Sequence, residues 1–403
     1  NHVSMDDGFD KGTAFSASDA NNVTIAVTGT QLSLSTAPAD NDVFDTGNDE
    51  VVSGMTFDTQ PVVTVVDANS NVDLDFSENI VASLTSGSGS LAGTTTISPS
   101  SGVATFTNLA YTAASDGESF QITFDDAAGG ADLTLVTTAG TLSADVIATQ
   151  LVLTQQPSGV VNGSALSTQP IVTARDANSL TDTDFTDTIA LTTSGTGSLT
   201  NQALAASSGV ATFTTFQYTA TVDQESVTFT ADDVSGGSGG DLSSVTSSSL
   251  TASAGPATQL TLSFDSMDIQ ADGSSTKSVT VIVKDATGLK RSTDNATSVT
   301  LTVTGTGTGT DTKTVSSGQT VFTVTSSTTV GTVNLSATSS GLTGDTGSFA
   351  TANIAPVANA QTVSATEDVD ITVTFSGSDA DGDAFSFLVS TLPANGALYQ
   401  TSD

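Results

Sequence analysis

The sequence predicts an all-β chain, a row of antiparallel β-sandwiches set end to end. Three observations carry that prediction. The chain repeats itself at long period, its apolar residues gather in short strand-like runs, and no stretch holds a helical period. "TQPVVTVVDANS" (59–70) returns as "TQPIVTARDANS" (168–179), and "SVTVIVKDATG" (278–288) continues the series, so Asp67, Asp176 and Asp285 follow one another at intervals of 109 residues. "SGVATFTNLAYTA" (101–113) returns as "SGVATFTTFQYTA" (208–220), with "SGQTVFTV" (317–324) a looser third copy.

Within one unit the elements follow in order. "TQLSLS" at Thr30, "TQLVLT" at Thr149 and "TQLTLS" at Thr258 open the units. "PVVTVV", "NIVASLTS", "GVATFTNLAY" and "SFQITF" come next, rich in Val, Ile, Thr and Phe and separated by Gly, Ser, Asn and Asp clusters. About seven such strands in some 110 residues is the pattern of an antiparallel sandwich. Phe106, Phe213 and Phe322, with Tyr111 and Tyr218, recur in register and read as core positions rather than sugar-stacking platforms. The units are placed at 30–148, 149–257 and 258–355.

The ends read differently. Asp6 and Asp7 precede a "TQL" by the 24 residues that also separate Asp125 from Thr149, so residues 1–29 read as the closing strands of a preceding repeat. Residues 356–403 are a new sequence type, too short for a full sandwich. The expectation is a window on a longer polypeptide, with strand exchange between subunits as the alternative.

Composition excludes several function classes. Of 403 residues none is Cys or Trp, and His2 is the only histidine. Disulfides are therefore ruled out, and zinc and haem lack ligands. Ser–His–Asp and Cys–His chemistry is excluded from the repeats, and "TGTGTGT" (304–310) lacks the lysine of a phosphate loop. The net charge of −36, from 43 acids against 7 bases, repels nucleic acid and anionic membrane. No apolar run is long enough to span a bilayer. Any ion bound must be hard and oxygen-seeking, with calcium the expected cofactor.

"VTVVDANSN…SGSGSLAGTTTISPSSGVATFTNLAYTA" resembles the bacterial immunoglobulin-like repeats of the invasin and intimin type. The resemblance implies tandem immunoglobulin-like β-sandwiches in an extended array, as in the stalks of bacterial surface proteins. Residues 355–399, with "TED" and "DADGD", resemble the cadherin-like tandem repeats of large bacterial surface proteins. There such acids are calcium ligands near module junctions, which by position points to Glu367, Asp368, Asp379, Asp381 and Asp383. In "DADGD" the i, i+2, i+4 spacing also allows three carboxylates to converge on one ion.

Other acidic clusters compete between turn capping and ion binding. Asp125, Asp126 and Asp132 form one, and Asp232, Asp233 and Asp241 its copy. "DANSNVDLDFSE" (67–78) has nearly the acceptor spacing of an EF-hand loop, but its sister copies put Leu180 and Leu289 at the fifth position. Its flanks are strands, so Asp67 reads as a turn cap, with Asp73 and Asp75 kept as candidate ligands of a non-EF calcium site.

Unit 30–148 holds sixteen acids and no base, unit 149–257 nine acids and Arg175 alone, and unit 258–355 seven acids and five bases. Without lysine, the first two units cannot form Lys–Asn isopeptide staples. The functional expectation is a non-catalytic, calcium-stiffened stalk of a large secreted bacterial cell-surface adhesin. The alternative is a self-assembling surface-layer or extracellular filament subunit. Expected partners are other modules of the same polypeptide, neighbouring copies in a layer or filament, and a surface receptor or glycan.

Overall fold

The computed structural model describes residues 27–39, 50–127, 132–233 and 240–400. Asp6 and Asp7, and nearly all of residues 1–29, lie outside them. The described chain is all-β: through strand Asp345–Ala352 it is a tandem array of immunoglobulin-like sandwiches, each with two main facing layers over its own apolar core, and beyond it Val357–Ala358 pairs with Gly377–Ser378.

The first sandwich shows the plan. One sheet pairs strands Gln31–Thr36, Val62–Val66 and Val103–Thr105. The facing sheet runs Glu50–Val52, Leu142–Asp145, Glu118–Asp126, Ile80–Ser86 and Thr96–Ile97. Strand Glu50–Val52 lies parallel to Leu142–Asp145, while most other pairs are antiparallel. The third sandwich repeats this order, with Ile269–Gln270 parallel to Asp345–Ala352. Alternation explains the layering: along Thr276–Lys284 the side chains of Val279, Val281 and Val283 all turn to the core. Lys277 shares that face, and its stem runs over Phe349 to bring the ammonium to Asp265 and the Met267 carbonyl.

The three "SG" turns are tight two-residue hairpins. Ser100 and Val103 exchange both backbone bonds, as do Ser207 with Val210 and Ser316 with Gln319. Both central residues have positive φ, as in a type I′ turn, and the second is Gly102, Gly209 or Gly318. Phe106, Phe213, Phe322, Tyr111 and Tyr218 are all buried, so the core reading holds.

The Gly/Ser hairpin has a specific task that periodicity does not reveal. Gly197 donates its amide to the Tyr218 hydroxyl at 2.9 Å, and that hydroxyl donates to Glu225 at 2.6 Å. Gly89, Tyr111 and Glu118 repeat the arrangement in the first sandwich. A Cβ on Gly197 would lie 2.1 Å from the Thr219 carbonyl oxygen and 2.7 Å from the tyrosine ring. Gly197→Ala is therefore expected to destabilise the second sandwich by about 1–3 kcal/mol, the range for an overpacked site. Calorimetry that finds the second transition unmoved would refute this.

Candidate functional site

What the repeats build with their recurring acids is the joint between one sandwich and the next. Asp67, Asp176 and Asp285 each end a strand and cap the turn that follows. Asp67 Oδ1 accepts the amides of Asn69 and Asn71, both at 2.8 Å, and Oδ2 accepts the Asn71 side chain. That last bond, with the two amides, holds the Asp67 carboxyl below its usual range. Asp176 and Asp285 take the amides at the same two positions, 178 and 180, 287 and 289. The capping lets the chain turn at Ser70 and Ser179, both at positive φ, and at Gly288 in the third copy.

The turn presents its fifth residue to the preceding sandwich. Leu180 packs against the core of the first sandwich, and Leu289 against the core of the second. In the first turn the same place is Asn71, which folds back onto Asp67. The leucines that spoil the EF-hand spacing are therefore the apolar plugs of two joints.

Carboxylates clamp the chain around each plug. At the first joint Asp116 Oδ1 accepts the Val146 amide at 2.8 Å, and its Oδ2 accepts the amide and hydroxyl of Thr183 at 2.7 and 2.6 Å. Asp182 Oδ2 accepts the Ala148 amide at 2.8 Å, and its Oδ1 accepts Phe185. At the second joint Asp223 repeats the part of Asp116, taking the Ala254 amide at 2.6 Å and the amide and hydroxyl of Ser292 at 2.7 and 2.8 Å. Asp285 Oδ2 accepts the Gly255 amide and the Asn162 side-chain amide, both at 3.0 Å. Buried Asn162 also accepts the Ala220 amide at 2.7 Å, so its side chain is committed to the joint. The bonds that Asp116, Asp223 and Asp285 accept are charge-assisted, a class that contributes roughly 1.5–3 kcal/mol each. Burial pushes Asp223 and Asp285 upward, but the donors around each outweigh it and hold both below the ordinary carboxylate range.

The two joints differ electrostatically. Asp116, Asp182 and Asp184 each bring one oxygen within 4.8 Å of the others at the first. Burial, then the contact with Asp184, pushes Asp182 up to about 7. At the second joint Arg291 stands where the repeat has Asp182, and pairs with Asp294 at 3.2 Å.

The acids singled out from the sequence fall into distinct settings. Buried Asp73 accepts the Gly29 amide at 2.7 Å, gripping the chain that enters the first sandwich, and its other oxygen accepts the Asp75 amide. Asp126 caps Leu133 and Asp125 caps Asp126, while Asp132 joins them in no trio among the described residues. Asp232, Asp233 and Asp241 do converge within 4.8 Å. In "DADGD", Asp379 Oδ1 accepts the amides of Asp381 and Asp383 at 3.1 and 3.2 Å. Asp381 and Asp383 then reach back to the segment leaving the third sandwich, through the Ile354 amide at 2.9 Å and the Asn353 side chain at 2.6 Å. One oxygen of Asp379 and one of Asp381 are buried with no donor among the described residues. The Asp381 carboxylate beside it is the first cause raising Asp379. Glu367 and Asp368 are exposed, and neither they nor the three acids of "DADGD" bring three carboxylates within 4.8 Å of one another among the described residues, because Asp381 and Asp383 turn to Ile354 and Asn353 instead.

Asp116 and Asp223 escaped sequence reasoning, although each stands five residues after a repeated tyrosine in "YTAASD" and "YTATVD". That register was the available signal.

No model of a known protein family matches the chain, and no curated protein does. Solved structures give fold-level likenesses. The Escherichia coli adhesin FdeC matches at 16% identity and TM-score 0.31, over 80% of this chain and 96% of that one. Invasin, a bacterial integrin-binding protein, matches at 16% and 0.31, over 81% and 61%. A family 2 glycosyl hydrolase from Bacteroides cellulosilyticus matches at 15% and 0.24 over 46% of this chain, which spans 23% of that enzyme's length. Among the described residues no helix is long and apolar enough to cross a membrane.

Proposed function

We propose that the chain is a non-catalytic stalk segment of a secreted bacterial cell-surface adhesin, in which each sandwich adds length and the joints resist bending. The observation that carries this reading is the repeated joint, in which a leucine of one sandwich is seated on the core of the one before and aspartates grip the intervening amides. A flexible linker would leave those amides to water. The sequence resemblance to invasin-type repeats supplies the cellular setting. Calcium, in this reading, sits at "DADGD", where one buried oxygen of Asp379 and one of Asp381 lack a hydrogen-bond donor among the described residues.

Leu289 tests the stiffness. Leu289→Ser is expected to leave each sandwich folded while loosening the second joint by about 1–2 kcal/mol, part of what a fully buried leucine contributes, since Leu289 is partly buried. Small-angle scattering would then report a shorter maximum dimension and a broader spread of bend angles in electron micrographs. A parent chain that is already as compact and variable as the variant sinks the stalk reading. Sheets or fibres of purified parent would favour the self-assembling subunit instead.

A further inference from the structure

Beyond the joints, a second acidic feature lies at the end of the second sandwich that faces the first. Strand Phe229–Asp233 ends there, beside the start of strand Thr188–Thr193. Residues Asp241 and Leu242 lead directly into Ser243, which exchanges backbone bonds with the incoming chain at Thr149 and Leu151.

Asp233 is only 6% exposed. Its Oδ1 accepts the Leu242 amide at 3.0 Å, whereas its Oδ2 is buried and has no hydrogen-bond partner among the described residues. A buried carboxylate oxygen without a donor is costly, and native proteins satisfy such atoms with a donor, a water or an ion. The side chains that do approach are the wrong sign. Asp232 and Asp241 place their oxygens within 4.8 Å of that carboxylate and of each other. Two acids thus flank the carboxylate that carries an orphaned oxygen, in a sandwich whose only base is Arg175.

We propose that Asp232, Asp233 and Asp241 bind one divalent cation of calcium's size, which braces the loop end of the second sandwich against its own first strand. An all-oxygen, all-anionic donor set selects a hard cation. Ligands on opposite sides of calcium stand about 4.6–5.2 Å apart, against roughly 4.0–4.2 Å across magnesium, so oxygens spread up to 4.8 Å are within calcium's reach. Among the described residues only the second sandwich gathers its acids at this place. In the first, Asp125, Asp126 and Asp132 occupy the same repeat positions, but Asp126 is only half-buried and the three do not converge. In the third, serines and threonines line the corresponding edge.

The test counts calcium by equilibrium dialysis on the full chain and on three variants, with circular dichroism to confirm folding. Asp241 is exposed, so Asp241→Asn leaves the core untouched. It is expected to bind one calcium fewer than the parent, or that calcium at least tenfold more weakly, and to lose the calcium-dependent rise in the second thermal transition. Asp132→Asn, the matching change in the first sandwich, is expected to bind as the parent does. An Asp241→Asn chain with the parent's calcium number and affinity overturns the site, as does a parent that binds no calcium. Asp381→Asn separates this site from "DADGD". A loss there, with none in Asp241→Asn, would leave the stalk reading standing and remove this one.

Discussion

Tyr218→Ala is expected to cost the second sandwich about 3–5 kcal/mol, the range for truncating a large buried aromatic. The ring is fully buried and packs edge-on against Phe229 at 5.9 Å. Its removal opens a cavity beneath the glycine hairpin, where the tyrosine ring is the main contact of Gly195 and Gly197. The hydroxyl matters separately. Burial and then Glu225 push the phenol up to about 12, so it remains a hydrogen-bond donor across the physiological range. Tyr218→Phe keeps the ring but leaves Glu225 Oε2 without its phenol donor and Gly197 without an acceptor, a loss of about 1–3 kcal/mol. Since each sandwich has its own core, the large variant should shift one calorimetric transition and leave the other two nearly in place. A uniform shift of all three would mean the array unfolds as one unit.

The second large effect is pH-dependent and confined to the first joint. Asp182 has an ordinary value of 3.8 and a folded value of about 7, because it is buried and faces Asp184. The folded chain therefore binds this proton more tightly than the unfolded one. Stability from the protonated form is fully present below about pH 4 and is lost as the pH rises to about 7. Each unit of the difference is worth about 1.4 kcal/mol, so the joint weakens by a few kcal/mol across that window. Asp67, Asp223 and Asp285 are shifted downward and lose their contribution only at more acid pH, outside it. Asp182→Asn can accept only one of the two amides that Asp182 holds, so its baseline stability falls, yet the slope between pH 4.5 and 7 should flatten. Thermal unfolding of both chains across that range checks this, and parallel curves would refute it. The second joint, with Arg291 at the matching place, should show no such dependence.

Much of the unit was legible from the residues, because its determinants are local. Period-two runs place Val279, Val281 and Val283 on one face, and a strand-ending Asp67 can cap only its own turn. The joints were not legible, because their determinants are contacts between units. Leu180 looks like a defect in a calcium loop until the neighbouring core is in view. Asp116 and Asp223 look like ordinary loop acids until Thr183 and Ser292 are seen to lie against them. The gathering of Asp232, Asp233 and Asp241, against the dispersal of Asp125, Asp126 and Asp132, depends on burial at one end of the sheet, which composition does not encode.

The parallel pairing of each sandwich's second segment with its closing one has a mechanical consequence. Val51 lies beside Ala144, Val161 beside Ser253 and Ile269 beside Thr351, all in parallel register. A pull on the two ends of a sandwich drags these segments in opposite directions along their length. Their cross-links are then loaded together, in shear, instead of being peeled one at a time from an edge. Tension along the chain thus meets, in every sandwich, a pairing that must slide rather than unzip.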